Sequence, residues 1–147
     1  MLNSLYSDIL LEAAGSLPQA RRLENPTVSA RKSSRVCGSE LIIDLKIDDG
    51  KIADFGLDAK ACALGQASAG LVATNLIGAS VVDLPRLYET VRAMLKNNGP
   101  APNGARWGAL AALEAIKDYP QRHASTLLIF DALSTCAEEW LNKPNCS

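Results

Sequence analysis

No apolar run in the chain approaches the roughly 18 residues that a membrane-spanning helix needs, so no segment is expected to cross a bilayer. The opening stretch MLNSLYSDILLEAAGSLPQA has no early Lys or Arg and carries Asp8 and Glu12. These features argue against a secretory leader or a mitochondrial presequence, and the expected location is the cytoplasm. An excess of one charge sign is also missing. Fifteen Lys and Arg against sixteen Asp and Glu leave a net charge of −1, which provides no basic face for nucleic acid. The cluster Arg31, Lys32 and Arg35 is the exception, and reads as a solvated loop or a docking point for an acidic partner. Four cysteines, at positions 37, 62, 136 and 146, form no Cys-x-x-Cys pair. A disulfide scaffold, a zinc ribbon and a thioredoxin-type site are therefore not expected, and the thiols should stay reduced. There is one histidine, His123, and neither an internal repeat nor a low-complexity tract.

What is present suits one globular domain over residues 1–147, with a frayed tail from about residue 142. Leu5, Ile9, Leu10 and Ala13 have the spacing of a short amphipathic helix over Leu5–Ala14, stopped by Gly15 and Pro18. Residues 23–35 are polar and read as an irregular loop or an edge strand. Leu41, Ile43, Leu45 and Ile47 alternate with Asp44, Lys46 and Asp48, the period-2 signature of a half-buried strand. Asp49-Gly50 supplies a tight hairpin turn, after which Ala53, Phe55 and Leu57 resume the alternation against Asp54 and Asp58. A third strand just upstream of Cys37 completes the expected sheet.

From Cys62 the period changes to 3.6, giving a helix that ends at Gly78. Asp83 is placed to cap a second helix, with Pro85 in its first turn and a buried stripe of Leu84, Leu87, Val91, Met94 and Leu95. Trp107, Leu110, Leu113 and Ile116 mark a third helix. A fourth runs from about Arg122 to Leu141, with Leu128, Ile129, Ala132, Leu133, Cys136 and Trp140 facing inward. Strands first and helices afterwards indicate an α+β fold: a small antiparallel sheet of two or three strands with helices packed on one face.

The thiols differ in what surrounds them. Cys136 lies on an apolar helical stripe and reads as a small buried hydrophobe, whereas Cys146 sits in the frayed tail. Cys62 falls where a strand gives way to a helix, and unpaired N–H groups of a first turn stabilise a thiolate. Its neighbours Ala61, Ala63, Gly65, Ala67, Ser68, Ala69 and Gly70 would either leave the thiol accessible or let another element approach closely. A cysteine filling a tight helix–sheet contact is the plainer alternative. Cys37, next to Gly38, enters the hairpin that Cys62 leaves, so antiparallel pairing returns both to one end of the sheet. His123 reads as a surface residue, or as a ligand or proton carrier if the last helix begins at that same end. Ser125 reads as an N-terminal cap or first-turn residue.

Several segments then point to a family. YSDILLEAA, RLENPT, VCGSE, DFGLDAKACALGQASAGL, IGAS and YPQRHASTLLIFDAL follow one another as they do in iron–sulfur cluster assembly scaffolds of the NifU/IscU/SufU type. The resemblance covers roughly residues 6 to 133 and is strongest around Cys62, where Gln66, Ala67 and Ser68 follow the cysteine. It implies a NifU- or SufE-like fold, no ordinary enzymatic turnover, and Cys37 and Cys62 as ligands of an iron–sulfur cluster or zinc. It also implies a cysteine desulfurase and recipient apoproteins as partners.

The ligand set departs from the family's three cysteines and one aspartate. Ser39 stands at the aspartate position with Glu40 beside it, Ser125 at the third cysteine, and Ala124 where some members carry a histidine. A serine hydroxyl is a poor substitute for a thiolate on iron or zinc. Two thiolates fall short of the four sulfur-type ligands of a [2Fe–2S] cluster. His123 or Glu40 could complete the set, or a homodimer could share one cluster. Two other readings stay open: a SufE-like sulfur acceptor for a desulfurase, and a cluster-free interaction protein.

Overall fold

The ELIIDLKID run forms strand β2 (Glu40–Asp48), as its alternation requires. The computed structural model describes residues 8–15, 17, 19–34, 38–61 and 63–142. Cys37, Cys62, Cys146 and residues 5–7 of the expected first helix lie outside them. At the hairpin, Asp49 and Gly50 both take positive φ, 53° and 75°, the geometry that suits a two-residue turn to the strand twist. Strand β3 (Lys51–Lys60) returns antiparallel, and the expected third strand is β1 (Val28–Ser33), giving the order β1-β2-β3.

One part of the alternation shifts. The register slips between Lys46 and Ile47, so Asp54 pairs with Lys46 but Ile52 with Ile47, and Ala53 is the extra residue. This bulge turns Ile52 into the core and Ala53 out to solvent. The expectation that Ala53 shares the apolar face is thereby corrected.

Leu41, Ile43 and Leu45 are buried on the face that meets the helices. α1 (Asp8–Gly15) packs on α2 (Ala63–Leu76), and α3 (Leu84–Asn97) buries the expected stripe. Asp83 occupies the cap position of α3, but its side chain makes no capping hydrogen bond; a short 3-10 turn, Val81–Asp83, leads in instead. A four-residue helix α4 (Gly104–Trp107) runs into a 3-10 segment, Gly108–Ile116. Trp107, Leu110, Leu113 and Ile116 recur every third residue, and a 3-10 helix has three residues per turn. α5 (His123–Asn142) is buried around most of its circumference in its first half, because it touches β1 and β2 as well as α2 and α3. Cys136 is fully buried there, as expected. Among the described residues no helix is long and apolar enough to cross a membrane.

The small residues of α2 serve close packing. A Cβ on Gly70 would lie 2.0 Å from the Ala13 carbonyl oxygen, so α1 rests backbone to backbone on α2. Of the two roles open to these residues, this is close approach by another element.

The outer face of the sheet is not simply solvated. Residues 21–23 cross it where Gly56 leaves room, and Asp44 beneath them is fully buried.

Candidate functional site

Three chain junctions meet at one end of the sheet. The first is the β1–β2 connection, closed by Ser34 N–H donating to the Ser39 carbonyl at 2.8 Å and Gly38 N–H to the Ser34 carbonyl at 2.9 Å. Gly38 has φ 71°, and nothing lies within 4 Å of where its Cβ would be, so the turn borders open space. The second is the β3–α2 junction, where strand ends at Lys60 and helix begins at Ala63. Glu40 pairs with Lys60, which places these two junctions side by side. The Gln66 side-chain amide donates to the Ala61 carbonyl at 3.1 Å and ties the junction to the first turn of α2.

The first turn of α5 is the third. A Cβ built on Gly65 would lie 2.7 Å from the Ala61 Cβ and 3.9 Å from the Ser125 Cβ. Ser125 is therefore packed against the junction that carries Cys62 in the sequence. Ser34 and Ala124 line one cavity, which joins the α5 turn to the β1–β2 connection. The flanks of both cysteines and Ser125 thus converge, as antiparallel pairing anticipates; the two sulfur atoms themselves lie outside the described residues.

The remaining sequence candidates are already engaged. Glu40 accepts a 2.6 Å hydrogen bond from Arg31, and that bond holds its carboxyl below the usual carboxylate range. His123 is buried, not on the surface. Its Nε2 lies 3.1 Å from the carbonyl oxygens of Ile116 and of Lys117. Both neighbours are acceptors, so Nε2 carries the hydrogen and has no lone pair to offer a metal. The ring pins the end of the 3-10 segment to the start of α5, and Nδ1 is the nitrogen left for ligation. Ser39 and Ser125 are both almost fully buried. Among the described residues no three His, Cys, Asp or Glu side chains form a metal-holding group.

The Asp44 network was not foreseen from the sequence. Arg22 donates to the two carboxylate oxygens through Nε at 2.6 Å and a terminal nitrogen at 3.1 Å, Ser29 Oγ donates at 2.6 Å, and Leu23 N–H at 3.0 Å. Burial alone would raise this carboxyl, but the bonds from Arg22, Ser29 and Leu23 together outweigh it and hold the pKa low. The alternation signalled that Asp44 faces away from the helices; it carried no sign of the covering segment.

This chain is similar to several known proteins. A family model described as NifU-like N terminal domain matches residues 12–126. An iron–sulfur cluster assembly scaffold protein IscU from Thermotoga maritima is 28% identical over 129 residues, covering 88% of this chain and 89% of its own. A protein of the same description from Streptococcus pyogenes serotype M1 is 24% identical over 149 residues, covering 96% and 87%. The crystal structure of a nitrogen-fixing NifU-like protein (N-terminal) from Brucella abortus superposes with a TM-score of 0.92 at 40% identity, covering 97% of this chain and 99% of that one. A protein designated an iron–sulfur cluster assembly scaffold of the SUF system, from Fervidobacterium islandicum AW-1, shares the fold with a TM-score of 0.82 at 20% identity, covering 92% and 98%.

Proposed function

The chain belongs to the NifU-like N-terminal domain family, and from that premise we propose that it is an iron–sulfur cluster assembly scaffold. Its cargo is a nascent cluster held on Cys37 and Cys62. The observation that supports the reading is the convergence of the β1–β2 turn, the β3–α2 junction and the α5 first turn at one corner bordered by open space. Thiolates there would be soft donors for iron. The scaffold role is to hold and release, not to turn over a substrate.

Two thiolates leave the cargo under-ligated within one subunit. Glu40 is the readier further donor, because its pair with Arg31 is solvent-facing, with side chains 35% and 66% exposed, and such pairs are weak. His123 would have to ligate through Nδ1 or break both carbonyl bonds. Two subunits contributing two cysteines each would satisfy the cluster without either residue. Sulfur would come from a cysteine desulfurase, and the cluster would pass to recipient apoproteins.

Anaerobic loading with iron and sulfide tests the reading. Visible absorbance of an iron–sulfur chromophore is expected for the unaltered chain, and its loss in Cys37→Ala and in Cys62→Ala. An unaltered chain that stays colourless, yet collects a persulfide from a desulfurase without metal, would replace scaffold by sulfur acceptor.

A further inference from the structure

The two edges of the sheet are finished differently. On β3 the outer side is met at four positions. Ile52 N–H donates to the Ala79 carbonyl at 2.9 Å, Gly78 N–H to the Ile52 carbonyl at 2.8 Å and Val81 N–H to the Gly50 carbonyl at 2.9 Å. Further along, the Asp54 carboxylate accepts from Phe55 N–H at 2.8 Å. Arg21 N–H donates to the Leu57 carbonyl at 3.1 Å. β1 is the opposite edge. Ser34 N–H donates to the Ser39 carbonyl, which continues the register that pairs Ser33 with Glu40. The even-numbered residues of β1 therefore turn their backbone groups toward β2, and alternation turns the N–H and C=O of Ser29, Arg31 and Ser33 outward. Among the described residues none of these outward groups has a hydrogen-bond partner. Arg31 and Ser33 are exposed, and Ser29 is half-buried. An edge left open in this way is a template for another strand.

The charge around the edge sets the kind of strand it admits. Arg31 is paired with Glu40 at 2.6 Å and Lys32 with Asp131 at 3.6 Å. Arg92 and Lys96 line the cavity beside Ser33, and among the described residues neither has a carboxylate within ion-pairing distance. Four cations thus stand against two carboxylates. A second copy pairing through its own β1 would bring the same excess, and like charges across a strand pair are destabilising. We propose that β1 is a docking edge for an extended, acidic segment of a partner protein, which adds to the sheet as a fourth strand. Main-chain bonds to Ser29, Arg31 and Ser33 hold the segment, and its carboxylates meet the excess charge of Arg92 and Lys96. β1 leads into the turn at the cargo corner, so the added strand would end beside it. The inference rests on the sheet edge alone and stands whether or not a cluster is held.

Amide hydrogen exchange followed by NMR on the metal-free full-length protein tests this, with a short peptide of alternating threonine and glutamate as the probe. In the free protein Ser29, Arg31 and Ser33 should exchange fast while Ala30 and Lys32 exchange slowly. Saturating peptide should slow the three fast amides about tenfold or more. The same peptide N-methylated throughout, or with lysine in place of glutamate, should protect none of them. Arg92→Ala with Lys96→Ala should weaken binding about tenfold and leave the alternating exchange pattern of the free protein as it was. Ser33→Pro removes an outward N–H without costing a ladder bond, so it should weaken binding while the melting temperature holds. Outward amides already slow in the free protein would overturn the docking edge, as would an acidic peptide that protects none of them. Equal binding of the lysine or the N-methylated peptide would overturn it too. Protection that grows with protein concentration in the absence of peptide would give the edge to a second copy instead, against the proposal.

Discussion

Gly70→Ala separates what a helix prefers from what this fold permits. In an isolated helix the change gains about 0.5–1 kcal/mol, because alanine is less costly to order. Here the new methyl would sit 2.0 Å from the Ala13 carbonyl oxygen and 2.9 Å from its carbon. Non-bonded contacts are comfortable only near about 3.5 Å, so α1 would have to retreat by roughly 1.5 Å. Overpacking of this kind costs about 1–3 kcal/mol. Its ceiling is the cost of releasing α1 altogether, which surrenders the burial of Leu10 and Ala13, 1% and 6% exposed, worth about 3 kcal/mol. The strain outweighs the propensity gain, and a net loss of about 1–2 kcal/mol is expected. With a urea m-value of about 2 kcal/mol/M, the unfolding midpoint should fall by roughly 0.5–1 M. A midpoint that holds or rises would refute the close backbone contact between α1 and α2.

Ser125→Cys restores a thiol to a side chain packed against the β3–α2 junction; cluster retention under a chelator should rise roughly tenfold, each tenfold being about 1.4 kcal/mol of binding, and an unchanged loss rate would separate Ser125 from the cargo corner. Asp44 has a depressed folded-state pKa, so its stabilisation is complete above the ordinary carboxylate value and is lost as pH falls through the folded one. Asp44→Asn should therefore be less stable at neutral pH by about 1–3 kcal/mol and show a flatter acid limb in thermal melts between pH 5 and pH 2, as linkage requires. Burial pushes the Cys136 thiol up to about 12, leaving on the order of 10⁻⁴ of it as thiolate at pH 8; a disulfide-exchange reagent should reach it only after denaturation, and Cys136→Ser should leave the native thiol count unchanged.

Local pattern carried much of the architecture. The Asp49-Gly50 turn, the β2 alternation and the α3 stripe each repeat with the period of one element, and that period reports which side of the element is apolar. The three-residue recurrence from Trp107 to Ile116 belongs to the same class; it marks a helix in the sequence and shows its 3-10 form in the structure. The resemblance to NifU-type scaffolds was legible for a related reason, since its segments are contiguous blocks of sequence, the strongest of them around Cys62.

Contacts between distant segments are another matter. Asp44 reads as an exposed strand residue, and the Arg21–Leu23 crossing that buries it lies about twenty positions away with no period of its own. His123 reads as a surface residue or ligand, but Ile116 and Lys117 occupy its Nε2. By itself the sequence determined the elements, their apolar faces and the two thiol-bearing junctions, because backbone propensity and side-chain period act within a few residues. The tertiary structure alone decided what covers each polar group and which junctions share a corner, since burial depends on partners that approach through space.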